Sequence, residues 1–201
     1  MNIRNIFIPA IMLVSSFTAN ANAALRDDFP AAHAAFIAVS QDQGGTVDDA
    51  WVKFEALEKA YPNHPLVQVY FGALKTVKAD KAIMPWSKMM WVEKGLDLID
   101  SGLALLTNSH NTELVSETSV ALETRLEAVK IFLAVPDFLN RFQDAKDVFG
   151  DLLDTENVDA LPSKLRIEIY SIGAKIAERD KNILEVNKWQ QKIKVAAASQ
   201  K

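Results

Sequence analysis

Helical periodicity recurs along almost the whole chain, with apolar residues returning every three to four positions, and no stretch holds the period-2 alternation of a half-buried strand. Only seven glycines and seven prolines interrupt 201 residues. The pattern predicts an all-α fold of eight helices, at 28–41, 46–60, 64–80, 86–106, 111–132, 137–153, 162–179 and 182–195. Gly44-Gly45 separates the first pair and Pro62-Asn63-His64-Pro65 the next. Pro85, Pro136 and Pro162 stand near later helix starts, where a missing N–H costs nothing. Short connections predict that successive helices pack as antiparallel hairpins.

The even-numbered helices share one spacing: a small or polar residue, a large apolar one four later, and a further core position three beyond. The second helix has Ala50, Phe54 and Leu57 followed by Pro62, the fourth Gly95, Ile99 and Gly102 followed by Thr107, and the sixth Ala145, Phe149 and Leu152 followed by Asn157. The eighth keeps a trace in Glu185, Trp189 and Lys192, as expected of an outer repeat facing solvent. Among the odd-numbered helices, Phe71-Gly72 and Ile172-Gly173 pair a large apolar residue with one lacking a side chain. Glycine inside a helix costs about 1 kcal/mol against alanine, which implies a close helix approach.

On these residues the chain resembles the tetratricopeptide repeat family, whose 34-residue helix pair carries large-Gly in its first helix and small, aromatic, Ala and Pro positions in its second. The resemblance implies a TPR-like solenoid of antiparallel helix hairpins over residues 24–201. The units here are longer, running from 50 to 95 to 145 to 185, and the family's tryptophan near the start of the first helix is absent. Secreted TPR-like proteins serve as non-catalytic adaptors, so the resemblance implies a protein or peptide partner from envelope assembly or a membrane transporter complex.

Residues 1–23 read as a cleavable signal peptide: Arg4, an apolar stretch over 6–17, and small residues at Ala21 and Ala23. The apolar run is about a dozen residues against the roughly 20 of a membrane span, so cleavage after Ala23 and a periplasmic or secreted product are expected, with no membrane insertion afterwards. There is no cysteine to acylate or to bridge. The mature chain of about 178 residues is long enough for one unstapled core. The 22 basic and 26 acidic residues are dispersed, which argues against nucleic acid.

Motifs for metal, nucleophile or phosphate chemistry are missing: there is no His-Glu-x-x-His, no Gly-x-Ser-x-Gly and no glycine loop. His33, His64 and His110 are far apart in sequence, and Asp144, Asp147 and Asp151 form one face of the sixth helix, read as solvated surface. No catalytic residue, cofactor or metal is assigned, and the expectation is not an enzyme. Two alternatives stay open: a small helical enzyme acting on cell-wall glycan through carboxylates from different helices, and a metal or small-ligand carrier.

Two surfaces stand out as partner contacts. Residues 79–91 gather Met84, Trp86, Met89, Met90 and Trp91, a soft aromatic cluster suited to core packing, to an apolar peptide or, through thioethers, to copper(I). Within it Trp86 is expected to be the more exposed indole and Trp91 the structural one. The second is the face of the odd helices that a TPR-like superhelix turns inward. Val69 stands on it with Leu66, Ala73, Thr76 and Val77, and Tyr170 with Ile167, Ala174 and Ala177; it reads as an apolar groove or as core.

Overall fold

The computed structural model describes residues 15–199, with side chains from Ala24 onward. The expected signal peptide falls on residues 1–14, which lie outside the described residues, and on 15–23, whose side chains do.

The described residues form eight α-helices: α1 Ser15–Ser40, α2 Val47–Ala60, α3 Pro65–Lys81, α4 Pro85–Ala104, α5 Val120–Ala134, α6 Phe142–Thr155, α7 Ser163–Arg179 and α8 Ile183–Ala198. Among the described residues the extended structure is a single two-stranded hairpin, β1 Leu114–Val115 and β2 Thr118–Ser119, pairing Leu114 with Ser119 and Val115 with Thr118. No described helix is long and apolar enough to cross a membrane.

Local chemistry sets the starts. Thr46 accepts a hydrogen bond from Asp49 N to cap α2, Ser119 accepts from Leu122 N to cap α5, and Asn182 accepts from Glu185 N to cap α8. Pro65 and Pro85 occupy the first positions of α3 and α4, where no donor is lost. Lys78 and Lys81 in the last turn of α3 face the negative end of its dipole.

Consecutive helices pack in pairs, α1 on α2, α3 on α4, α5 on α6 and α7 on α8, and the odd helices also touch one another in chain order. From Pro65 to Leu74 every residue of α3 is buried, so this helix is enclosed on all sides. Two apolar clusters form around it. One joins α1, α2 and α3 through Phe29, Phe36, Phe54, Tyr70 and Phe71; the other joins α3 through α8 through Val69, Ile99, Phe132, Phe149 and Ile169. Ile131 packs against both.

The shared spacing of the even helices marks this core. Ala50, Phe54, Leu57, Gly95, Ile99, Gly102, Ala145, Phe149 and Leu152 are all buried, and in α8 Trp189 lies half-buried. The glycines serve close approach. A Cβ on Gly102 would stand 2.7 Å from Val69 Cγ2, and one on Gly173 2.6 Å from the Trp189 ring.

The boundaries need three corrections. α1 begins at Ser15 rather than at 28. The stretch 111–119, expected in the fifth helix, is instead the end of a 3-10 turn (Asn108–Asn111) and the hairpin, because Thr107, Ser109 and His110 bond locally and Ser116 takes a left-handed φ of 53°. α6 begins at Phe142 rather than 137, after a 3-10 turn at Asp137–Leu139 that ends on left-handed Asn140.

Two of the expected partner contacts lie in the interior. Val69 is wholly buried, pressed on Gly102 of α4, and has no surface to offer a partner. Tyr170 is 3 % exposed; its ring lies on Trp189 and its hydroxyl donates to Asp159. On the face read from Phe71-Gly72, α4 and α8 cover Val69 and Tyr170, while Leu66 and Ala73 pack in the cluster with α1 and α2.

Candidate functional site

The face shared by the odd helices is polar where α1, α3, α5 and α7 meet. Tyr70 of α3 donates its hydroxyl to Glu123 of α5 and lies 3.3 Å from His33 Nε2 of α1. Phe29 stacks on His33 at 5.4 Å, and both rings meet Tyr70 edge-on at 5.2 Å. Thr118 of β2 donates to the other Glu123 oxygen at 3.3 Å, which ties the hairpin to the same carboxylate.

One helical turn on, Glu127 is 4 % exposed in the interior. Lys130, three residues further along α5, puts its ammonium 2.6 Å from Glu127 and 3.2 Å from Glu168 Oε1 of α7. Burial pushes the Glu127 carboxyl up, with Lys130 pulling against it. Burial works to lower the Lys130 ammonium, but Glu127 and Glu168 outweigh it and hold that pKa above its ordinary value. The Tyr70 hydroxyl is raised well above 10.0 by burial and then by Glu127 and Glu123, so at neutral pH it is a proton donor.

Over this network lies a cleft of about 550 Å³ between α1, the hairpin and α7. Phe29, Val115, Pro162 and Leu165 give it apolar walls, and Glu117, Glu123 and Glu168 line it with one lysine, Lys164, while Lys130 holds Glu168 from outside the lining. A site with that lining attracts a cation flanked by apolar groups. Glu127 and Lys130 lie beneath it and are saturated by one another and by Glu168. They position α5 against α7.

The Met/Trp segment is elsewhere, at the α3–α4 turn and along α4. Ile83 is 90 % exposed and Trp86 71 %, with Met84 and Met90 exposed beside them, whereas Met89 and Trp91 are half-buried. Trp91 meets Trp51 edge-on at 5.6 Å, and Trp51 meets Phe71 at 4.9 Å. Lys78 Nζ stands 4.1 Å from the Trp51 ring centroid and 4.3 Å from that of Trp91, while Lys75 Nζ lies 3.3 Å over Phe71. Trp91 is therefore part of a packed aromatic ladder and Trp86 stands outside it. Tyr170 edges a smaller cleft of about 310 Å³ with Asp159, Arg166, Lys188 and Lys192.

The sequence passes over Glu123, Glu127, Lys130 and Glu168, and reads His33 as one of three dispersed histidines. A signal was present: Glu123, Glu127 and Lys130 fall at i, i+4 and i+7 of α5, one charged face on a helix whose other positions from Val120 to Leu133 are mostly apolar. The histidines are also not all scattered, since His64 and His110 converge on Glu113.

No protein family, no curated protein and no solved structure matches this chain.

Proposed function

We propose that this protein is an exported, non-catalytic TPR-like adaptor, which takes an extended segment of another envelope protein into the cleft between α1, the hairpin and α7. The observation that carries the reading is the lining of that cleft: apolar walls from Phe29, Val115 and Leu165 beside Glu117, Glu123 and Glu168. Such a lining suits a peptide with a lysine or arginine between apolar residues, the apolar contacts giving affinity and the carboxylates selecting the cation. The paired packing of the helices and the contacts among the odd ones support the TPR-like reading. Envelope assembly or transport machinery is the class of partner it implies.

The carboxylates lend little to a glycan hydrolase. Glu127, raised by burial as a general acid needs to be, is enclosed and bonded to Lys130 rather than aimed into the cleft. The exposed Ile83, Met84, Trp86 and Met90 form a second contact surface for an apolar segment. Photo-crosslinking separates the two surfaces. With the probe at Leu165, a defined Arg-containing peptide should be captured and a probe at Trp86 should capture little; capture only from position 86 would move the site to α4.

A further inference from the structure

His64, His110 and Glu113 come from three separately fixed pieces of backbone. His64 stands at the N-terminal boundary of α3, between left-handed Asn63 and Pro65. His110 sits on the 3-10 turn, where its Nδ1 accepts from Thr107 N at 2.9 Å. Glu113 leads into β1, and its carbonyl accepts from Val120 N at 2.8 Å. Their side chains meet: His64 Nε2 is 3.2 Å from Glu113 Oε1, His110 Nε2 is 3.9 Å from Oε2, and one ligand atom of each lies within 4.8 Å of the other two.

Two further atoms in this seam lack partners. His64 Nδ1 and Asn111 Oδ1 are both buried without a hydrogen bond. Orphaned buried polar atoms are uncommon in folded proteins and call for an explanation such as an ion or a water. Without a cation, His64 Nε2–H donates to Glu113 Oε1; ligation through Nε2 moves that proton to the buried Nδ1, where a water in the seam would accept it.

We propose that His64, His110 and Glu113 form a binding site for a first-row divalent cation of the zinc class. Two imidazole nitrogens and one carboxylate oxygen are a zinc donor set with a fourth position left for water, and imidazole selects zinc, nickel or copper over magnesium and calcium, which require oxygen ligands. Ligation by His110 at Nε2 puts its proton on Nδ1. The bond from Thr107 N is then exchanged for one that Nδ1 donates to Thr107 Oγ1, 3.1 Å away. Bound there, the cation ties the turn, and with it the hairpin that helps wall the cleft, to the α2–α3 connection.

The test is calorimetric titration of the chelator-stripped full chain with Zn²⁺ and with Mg²⁺, together with the visible absorption of the Co²⁺ form. The site predicts one equivalent of Zn²⁺, no heat from Mg²⁺, Co²⁺ d–d bands of a four-coordinate centre and a raised melting temperature. His110→Gln and Glu113→Gln, each checked for native circular dichroism, should weaken Zn²⁺ by at least about tenfold. Zn²⁺ binding that is absent, or equal in native protein and in both variants, would show that Glu113 only accepts a hydrogen bond from His64, with His110 standing beside the pair. Should one variant fail to fold, the Co²⁺ spectrum of the native chain decides: octahedral, weakly absorbing Co²⁺ overturns the site.

Discussion

Gly72 of α3 and Gly95 of α4 each occupy the space where the other would carry a side chain. A Cβ on Gly72 would stand 2.6 Å from the carbonyl oxygen of Gly95, and one on Gly95 would stand 2.7 Å from that of Gly72. Both obstacles are backbone, so neither can turn aside. Overpacking of a tight contact costs about 1–3 kcal/mol, which exceeds the ~1 kcal/mol that alanine gains in helix propensity. Gly72→Ala and Gly95→Ala are each expected to destabilise the protein in urea unfolding, and unchanged or raised midpoints would mean that the helices cross elsewhere.

Phe54 is wholly buried and Trp86 is 71 % exposed, although both are large aromatic residues on even helices. Phe54→Ala should cost about 3–5 kcal/mol, and Trp86→Ala should stay within about 0.5 kcal/mol of native. Acrylamide quenching of single-tryptophan variants gives the independent reading, with Trp86 the more accessible and Trp91 shielded by Trp51.

Lys130 is the partner that makes the interior position of Glu127 tolerable. Removing one member of a buried pair costs about 3–5 kcal/mol, and Lys130→Met should fall at the lower end because a third of that side chain is exposed. The sign of the pH effect follows. Without Lys130 the folded Glu127 carboxyl, already raised by burial, holds its proton above the unfolded value of 4.5. The variant should therefore regain stability as pH falls toward 4.5 and lose it as pH rises through the folded pKa. Parallel pH profiles for the native protein and the variant would contradict this.

Lys75 is pushed down to about 8, by burial first and then by Lys78 and Lys94, with Glu58 acting the other way. The Phe71 face beneath it also favours the charged form. A folded pKa below the unfolded 10.5 means that the unfolded chain binds more protons between about 8 and 10.5, so stability relative to Lys75→Met should rise with pH across that window. Amine acylation at pH 8 should modify Lys75 ahead of the exposed lysines; a rate no higher than theirs would show that the aromatic face wins.

Much of the helical frame was legible because its signals are local and repetitive. Gly44-Gly45 and the prolines announced the starts of α2, α3, α4 and α7 to within a residue, and the even-helix spacing picked out Phe54, Ile99 and Phe149 as core. The 3-10 turn and hairpin before α5 were missed because the bonds among Thr107, Ser109 and His110 compete with helix on equal local terms. The cleft was missed for a different reason. Its members are one to four residues from each of α1, α5, α7 and the hairpin, and only the packing of the odd helices brings His33, Glu123 and Glu168 together. The convergence of His64 and His110, 46 positions apart in sequence, was invisible on the same ground.

The central claim is that the acidic cleft receives a cationic side chain of an extended peptide, and fluorescence anisotropy tests it most directly. Labelled peptides with one central Arg, Gln or Glu among apolar residues are titrated with native protein and with Glu168→Lys, at low and at moderate salt. The account predicts that Arg binds best and Glu worst, that added salt weakens the Arg peptide, and that Glu168→Lys weakens it by at least about tenfold, or 1.4 kcal/mol. Equal affinity for the three peptides, or a Glu168→Lys protein that binds the Arg peptide as well as the native one, would contradict it.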